Sequence, residues 1–598
     1  ILQKKKMLVS TILCCHVVND QLHTSIKSII NQTYNNHEFC VDDTATSVMT
    51  YTGCKEGIIY ATQVSARKAY ETFGEKGVQA IEKEISSLLS KKVFSAVLKS
   101  SLSDTQRKKI IRMSCFVRDK IDAQGRLLKI KARLVAGGHL QDKSIYSPHE
   151  ISSPTVSISS VFSIISSGIS EGRKFLKFDI STAYLNASMP ENDDVYMTLD
   201  KQMSDLLIKC DESNEFRDKV DDRGQCTVKL EKALYGCVQS ARLWYNYLSE
   251  FLKSIGFEAN PVDPCVFNRK SSSGKQCTLA IHVDDGLATC EDLEELKLLD
   301  QQIKQKFNNE VDSEVNCTKF DYLGMLVQVD PGNDATLTMQ SYITETSKEH
   351  GVEGIAATPA TDNLFKIDED AEVLSKTAKE KFHRAVAQLL HLSTRVRPDI
   401  LLPITFLCSR VANPTLEDLD KLTRVMKYLN GTSELGIKLG QYGKDIGITV
   451  YADASYAVHP DCKSHGGIVV YNNRGPVYVK CAKQKMVSKS STEAELITLS
   501  DAVSLAAYNI NFLKGQGYDV CAELKQDNTS TIKLAENGRS NSDRTKHIQV
   551  RYFFVKQYLD QKVMKISHCP TKEMIADILT KPIQGEQFRI LRDMLLGY

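Results

Sequence analysis

The sequence predicts a multidomain protein, α+β through its first part and α/β in its last. Three observations carry that expectation. A chain of 598 residues exceeds what one hydrophobic core supports, so roughly three to five domains follow. An apolar fraction of 42% and a charged fraction of 25% are those of ordinary globular proteins. Strand-like and helix-like apolar spacing are mixed over most of the chain and then alternate regularly after Asp445.

Composition narrows the function little. The formal net charge of +2 is no global basic signature, so composition alone favours a cytosolic enzyme without a polyanionic partner. A nucleic-acid partner would need a local positive field. The 17 cysteines are scattered without a C-x-x-C pair, which reads as reduced thiols and no zinc site. KKKMLVSTILCCHVV (4–18) has the basic start of a signal peptide, but its apolar run is too short to span a membrane. The chain begins with Ile1, and the expectation is a piece of a longer product.

The elements follow in order. Residues 1–75 lack a clear period and read as a linker or the remnant of an upstream domain. GVQAIEKEISSLLSKKVF, from Gly77, has helical apolar spacing, and LLKIKARLVAGG (127–138) is a short basic strand closed by glycines. VSISSVFSIISSGI (156–169) suits a buried helix despite its serines. RKFLKFDISTAYLNA (173–187) starts as a strand. CTVKLEKALYGCVQSARLWYNYLSEFLKSIGF (226–257) reads as a strand, a turn at Gly236 and a long amphipathic helix capped at Gly256. TLAIHVDDGLATC (278–290) is strand–DDG–strand, residues 291–309 are a charged helix, and FDYLGMLVQVD (320–330) is a strand pair. Residues 331–440 read as mostly helical. After Asp445 come three strands, a helix from Ser491, a strand ending at Asp527, helices over 528–536 and 546–560, a strand over 562–568 and a last acidic helix.

The acids carry the chemistry. Adjacent strand residues point to opposite faces, so Asp284 and Asp285 share a ligand only if the chain bends, and the Asp–Gly step is read as that bend. Taken alone, the segment is equally a hairpin turn with solvated acids. Asp179 ends a second apolar strand, FLKFD. Carboxylates brought together resist joint ionisation unless a cation neutralises them, and a pair of Mg²⁺ ions serves phosphoryl transfer in such surroundings.

The ordered motifs KARLVAGG, KFDISTAYLNA, LEKALYGCVQSARLWY, IHVDDG and FDYLGM resemble the polymerase region of copia-type retrotransposon reverse transcriptases. RPDILLPITFLCSRVANPTLEDLDKLTRVMKYLNGT (397–432) resembles the segment that follows it in that family. The resemblance implies a right hand of fingers and palm over 76–330, a thumb and connection over 331–444, and an α/β RNase H-like domain over 445–598. It also implies roles. Asp179, Asp284 and Asp285 would hold two Mg²⁺ ions. Lys131 and Arg133 would contact the incoming triphosphate. Tyr184 would stack under the sugar and exclude a ribose 2′-OH. Gln239 would touch the nascent base pair and template, with Arg242 near phosphate. His282, Ser181 and Ala187 depart from the family's usual Tyr, Lys and Gly.

In the C-terminal part, Asp453 lies in VYADASY, Glu495 in SSTEAELITLS, Asp527 in LKQDNTS and Asp577 in MIADILTK, at the front of the last helix. Each alone is equally an ordinary helix-start acid. Together with RTKHIQVRYFFV and PTKEMIADILTKP they resemble the RNase H of copia-type elements, which implies that these four are metal ligands. Glu493 ranks behind Glu495. Gln549 is a departure that touches no ligand, and His547 reads as a structural histidine before a catalytic one.

The function implied is an RNA- and DNA-directed DNA polymerase that degrades the RNA of its hybrid, with Mg²⁺ or alternatively Mn²⁺. The partners implied are an RNA template, a DNA primer, RNA–DNA hybrid and dNTPs, with no membrane; a homodimer or other Pol and Gag products are further expectations. The location implied is a cytoplasmic virus-like particle, with the nucleus as a second. The alternative is a non-catalytic nucleic-acid-binding relic of such an element.

Overall fold

The computed structural model describes residues 63–121, 127–330, 334–440, 446–538 and 549–598. Residues 1–62, most of the expected linker, lie outside them, as does His547.

Four sheets organise these residues. The first is built on the long antiparallel pair Ile111–Ile121 and Leu127–Ala136, joined by Gln63–Ser65, Phe94–Val97, Tyr196–Thr198 and Thr227–Leu230. The helix Glu75–Ser90 buries Ile81, Ile85 and Leu88, the stripe its spacing predicts. The second sheet is antiparallel throughout. Its order is Val311–Val315, Lys174–Ile180, Asp285–Cys290, Gln276–His282, Val266–Lys270 and Glu258–Ala259. Helices Ser240–Ser254 and Leu293–Lys306 add Trp244, Leu248, Leu296 and Leu299 to its core.

The third sheet adds a strand at each end of the mostly helical stretch 331–440. The strands Lys319–Tyr322 and Met325–Asp330 pair onward with Asp334–Thr338 and then with Ile437–Gly440, so the four intervening helices are an excursion between two strands of one sheet. In that excursion Arg397 is fully buried on a bidentate pair with Asp399, at 3.0 and 2.8 Å, and Tyr428 donates to the same carboxylate.

The fourth sheet runs Gly475–Lys483, His465–Asn472, Ile448–Ser455, Ala522–Gln526 and Met564–His568. The first three strands are antiparallel and the last two join in parallel, with Ser491–Gly515 packed across them. This is the α/β unit expected after Asp445. The serine-laced helix Ile158–Ser170 joins second and fourth sheets. Its Ser163 hydroxyl meets Asn509 at 3.3 Å and accepts from Asn472 at 3.1 Å, so its polar atoms are satisfied across the interface.

Candidate catalytic sites

The first site rests on strand register. Asp285 pairs directly opposite Asp179, and Asp312 lies opposite Asp179 on its other side. Like charges directly opposite one another destabilise a sheet, so nothing in folding favours this row. The closing hairpin pair is His282 with Asp285, which leaves Val283 and Asp284 as a two-residue loop. The bend therefore precedes the Asp–Gly step. Val283 sits at φ 62°, where hairpins of this kind usually place glycine. A β-branched residue there is strained and needs external support. Two contacts supply it. The Trp244 indole N–H donates to the Val283 carbonyl at 2.6 Å, and the Ile180 N–H donates to the Asp284 carbonyl at 3.0 Å. Gly286 has a different task from the expected one. It lies under the Phe178 ring, and a Cβ would stand 2.1 Å from Phe178 Cζ.

The three expected ligands, Asp179, Asp284 and Asp285, are half-buried together. Burial, then the charges of Asp284 and Asp179, push the Asp285 carboxyl up to about 6. Burial and Asp179 also raise Asp284, while Arg133 and Lys131 pull it back. Those two basic residues come from Leu127–Ala136 of the first sheet and share its outward-alternating face. Arg133 lies over the Tyr235 ring at 4.6 Å, and Tyr235 is 5.0 Å from Tyr184. Burial and Asp284 raise the Tyr184 hydroxyl, which places Tyr184 beside the acids as well. Tyr235 is held there by close backbone contact: the Ala136 N–H donates to its carbonyl at 2.7 Å, and Gly236 sits at φ 96° against the Ala136 carbonyl.

Gln239 departs from its expected place. It is 2% exposed, and both ends of its amide are engaged. Its Nε2 donates to Asp193 at 2.8 Å and its Oε1 accepts from Gln141 at 3.2 Å. It ties the loop after Leu127–Ala136 to the helix Ser240–Ser254 through both ends of its amide. Arg242 is partly exposed and stacks on Tyr245 at 5.5 Å.

The second site is tighter. Asp453, Asp527 and Asp577 bring ligand oxygens within 4.8 Å of one another, and among the described residues no other set of three acids, histidines or cysteines does so. Asp453 is 1% exposed on the central strand. Glu495 joins from the first turns of Ser491–Gly515, and Gln526 donates to it at 3.3 Å. Burial, then Asp453 and Asp527, push Glu495 up to about 9. Burial, then Asp453, push Asp577 up to about 7, and Asp527 is raised by the same two causes. Asp577 sits on a separate short turn, Ile575–Leu579, and the last helix begins only at Gly585. Glu493 is drawn elsewhere: it accepts from the Lys489 N–H at 2.8 Å and closes the helix start. The side chain of Gln549 lies outside the described residues.

The donor sets of both sites are oxygen only, and at the second site a single lysine, Lys581, faces four carboxylates. That fits a hard divalent cation. Sequence reasoning missed Trp244, Asp312, Tyr235, Thr580 and Lys581. A lone tryptophan and a lysine four residues beyond an acid were the available signals.

Residues 101–360 match the reverse transcriptase (RNA-dependent DNA polymerase) family. The chain is 27% identical over 486 residues to the retrovirus-related Pol polyprotein from transposon TNT 1-94 of Nicotiana tabacum, covering 80% of this chain and 35% of that protein. It is 24% identical over 537 residues to the transposon Ty1-H Gag-Pol polyprotein of Saccharomyces cerevisiae, covering 86% of this chain and 28% of that one. The chain thus spans about a third of the length of the curated relatives it matches. Among solved structures, a foamy viral protease-reverse transcriptase in complex with double-stranded DNA aligns at 14% identity and a TM-score of 0.48, over 82% of this chain and 69% of that chain. Residues 101–360 are thus similar to the reverse transcriptase family, and about four fifths of the chain is similar to the Pol polyproteins of transposons.

Proposed function

We propose that the chain copies RNA and then DNA into DNA at the hairpin acids, and cuts the RNA strand of the resulting hybrid at the C-terminal acids. The observation that carries the first half is the register that sets Asp285 opposite Asp179, with Asp284 next to it on the strained turn that joins His282 to Asp285. Mg²⁺ or Mn²⁺, when bound, would neutralise these carboxylates and stabilise the attacking and leaving oxygens of the transfer. The protein's own residues do the rest. Asp179, Asp284 and Asp285 hold the cations, and Lys131 and Arg133 take the negative charge of the triphosphate. Tyr184 lies under the incoming sugar, where a 2′-OH would collide with its ring. Trp244 keeps the turn in place. In the second site Asp453, Glu495, Asp527 and Asp577 hold the cations that serve hydrolysis. The hybrid is gripped through phosphates and A-like shape, so binding weakens with salt.

The test is primer extension on oligo(dT)-primed poly(rA), with Mg²⁺ and then Mn²⁺, beside an Asp284→Asn/Asp285→Asn variant. Extension by the parent alone supports the reading. A folded parent that binds hybrid and extends nothing removes the polymerase claim and leaves a binding relic.

A further inference from the structure

One cation already touches the second site. Lys581 follows Asp577 by one helical turn, and its Nζ lies 2.7 Å from Asp577 Oδ1 and 3.4 Å from Asp453 Oδ1. The backbone fixes this reach: the N–H groups of Thr580 and Lys581 both donate to the Asp577 carbonyl, at 3.0 and 2.8 Å. The other oxygen of Asp453 is also engaged, because the fully buried Thr580 hydroxyl donates to Asp453 Oδ2. Glu495 and Asp527 have no such contact with the ammonium among the bonds described. The cluster is therefore lopsided. Its Asp577 and Asp453 oxygens are in ion-pair contact with a built-in positive charge, whereas Asp527 feels that charge without contact and Glu495 makes no ion pair with it among the described residues.

We propose that Lys581 is an internal competitor for one of the two cation positions: the first divalent ion enters on the Glu495 and Asp527 side, and the second must displace the ammonium from Asp577 and Asp453. This rests on the RNase H reading of the site. A divalent ion of the Mg²⁺ class needs oxygens at about 2.0–2.1 Å, so it and the ammonium cannot share the same lone pairs. The Lys581 side chain is 41% exposed, so its head has water to move into without unfolding anything. Lysine suits this role better than arginine, because a single flexible ammonium gives up its contacts one at a time. The consequence is a hydrolytic site held at low activity until the divalent ion is abundant enough to evict its own lysine.

The test is a Mn²⁺ titration followed by the paramagnetic resonance of the free ion, on the full chain carrying Asp284→Asn/Asp285→Asn so that the hairpin acids do not contribute. The expected result is two unequal Mn²⁺ affinities at the C-terminal cluster. Lys581→Met should tighten the weaker one about tenfold or more while moving the stronger one less. Lys581→Gln should do the same, so a misfolded Met variant leaves the question answerable, and Lys581→Arg should keep the parent's gap. An unchanged weaker affinity in both neutral variants overturns the proposal. A different failure is separable: if Asp453→Asn costs no bound Mn²⁺, the cluster is not a cation site, and the RNase H reading falls with the inference.

Discussion

The two acidic centres are built on opposite plans. The hairpin centre is half-buried, loosely gathered and faced by Lys131 and Arg133 from another sheet. The C-terminal centre is compact, with three acids within 4.8 Å, and it carries its own lysine. Burial, then the neighbouring acids, raises Asp285 to about 6 and the more deeply buried Glu495 to about 9. On the proposed function, Lys131 and Arg133 would receive a triphosphate whose oxygens complete the first centre, whereas the four acids of the second would already form its ligand set; substrate would then assemble the first centre and folding the second.

That contrast can be broken in three ways, the largest effect first. Mn²⁺ binding at the hairpin acids should tighten about tenfold or more when a non-hydrolysable dNTP is present, while the C-terminal affinity stays put. Calorimetry on Asp453→Asn and on Asp284→Asn/Asp285→Asn chains separates the two, and equal nucleotide dependence would erase the distinction. Next, Gly286→Ala drives a Cβ into the Phe178 ring and should cost about 1–3 kcal/mol of stability. Trp244→Phe should cost about 1 kcal/mol by leaving the Val283 carbonyl unpaired. Both should slow primer extension and spare hybrid cleavage; a parallel loss of cleavage would mean the shared core, not the turn, is being read.

The smallest effect concerns pH. His459 contacts His465 at 2.9 Å, and His465 contacts Cys481 at 3.0 Å, all buried. Burial, then Lys483, lowers His459 to about 4 from its ordinary 6.5. The folded state therefore binds its proton later than the unfolded state does. This histidine's contribution is whole above pH 6.5 and is lost as pH falls from about 6.5 through about 4. Glu495 and Asp577, raised to about 9 and about 7, tilt the same unit the other way over that window, so the histidine is read by difference: in thermal melts His459→Gln should lose less stability than the parent as pH falls from about 6.5 to about 4.

Much of this was legible in the sequence, for identifiable reasons. The helix at Ile81, Ile85 and Leu88 and the alternation after Asp445 are local patterns, and local patterns survive reading one segment at a time. The seven acids came from motif resemblance, and the structure gathers them into two groups. What escaped depends on contacts between distant segments. The register of Asp285 on Asp179 joins residues more than a hundred apart, and no period encodes it. Gln239 reads as a polar residue free to meet a template until Asp193 and Gln141 are seen to satisfy it. Gly286 reads as a turn residue until Phe178 is seen above it. The strand Ile437–Gly440 was hidden because a strand pair split by helices shows no hairpin signal, whereas Asp334–Thr338 pairs with its sequence neighbour Met325–Asp330 and was missed despite that short spacing.

The most direct test of two independent centres is a single assay on one end-labelled RNA–DNA hybrid with a recessed primer, scored at once for extension and for RNA cleavage. With two independent centres, Asp284→Asn/Asp285→Asn loses extension and keeps cleavage, and Asp453→Asn does the reverse. Loss of both activities in either variant, or of neither, would contradict it.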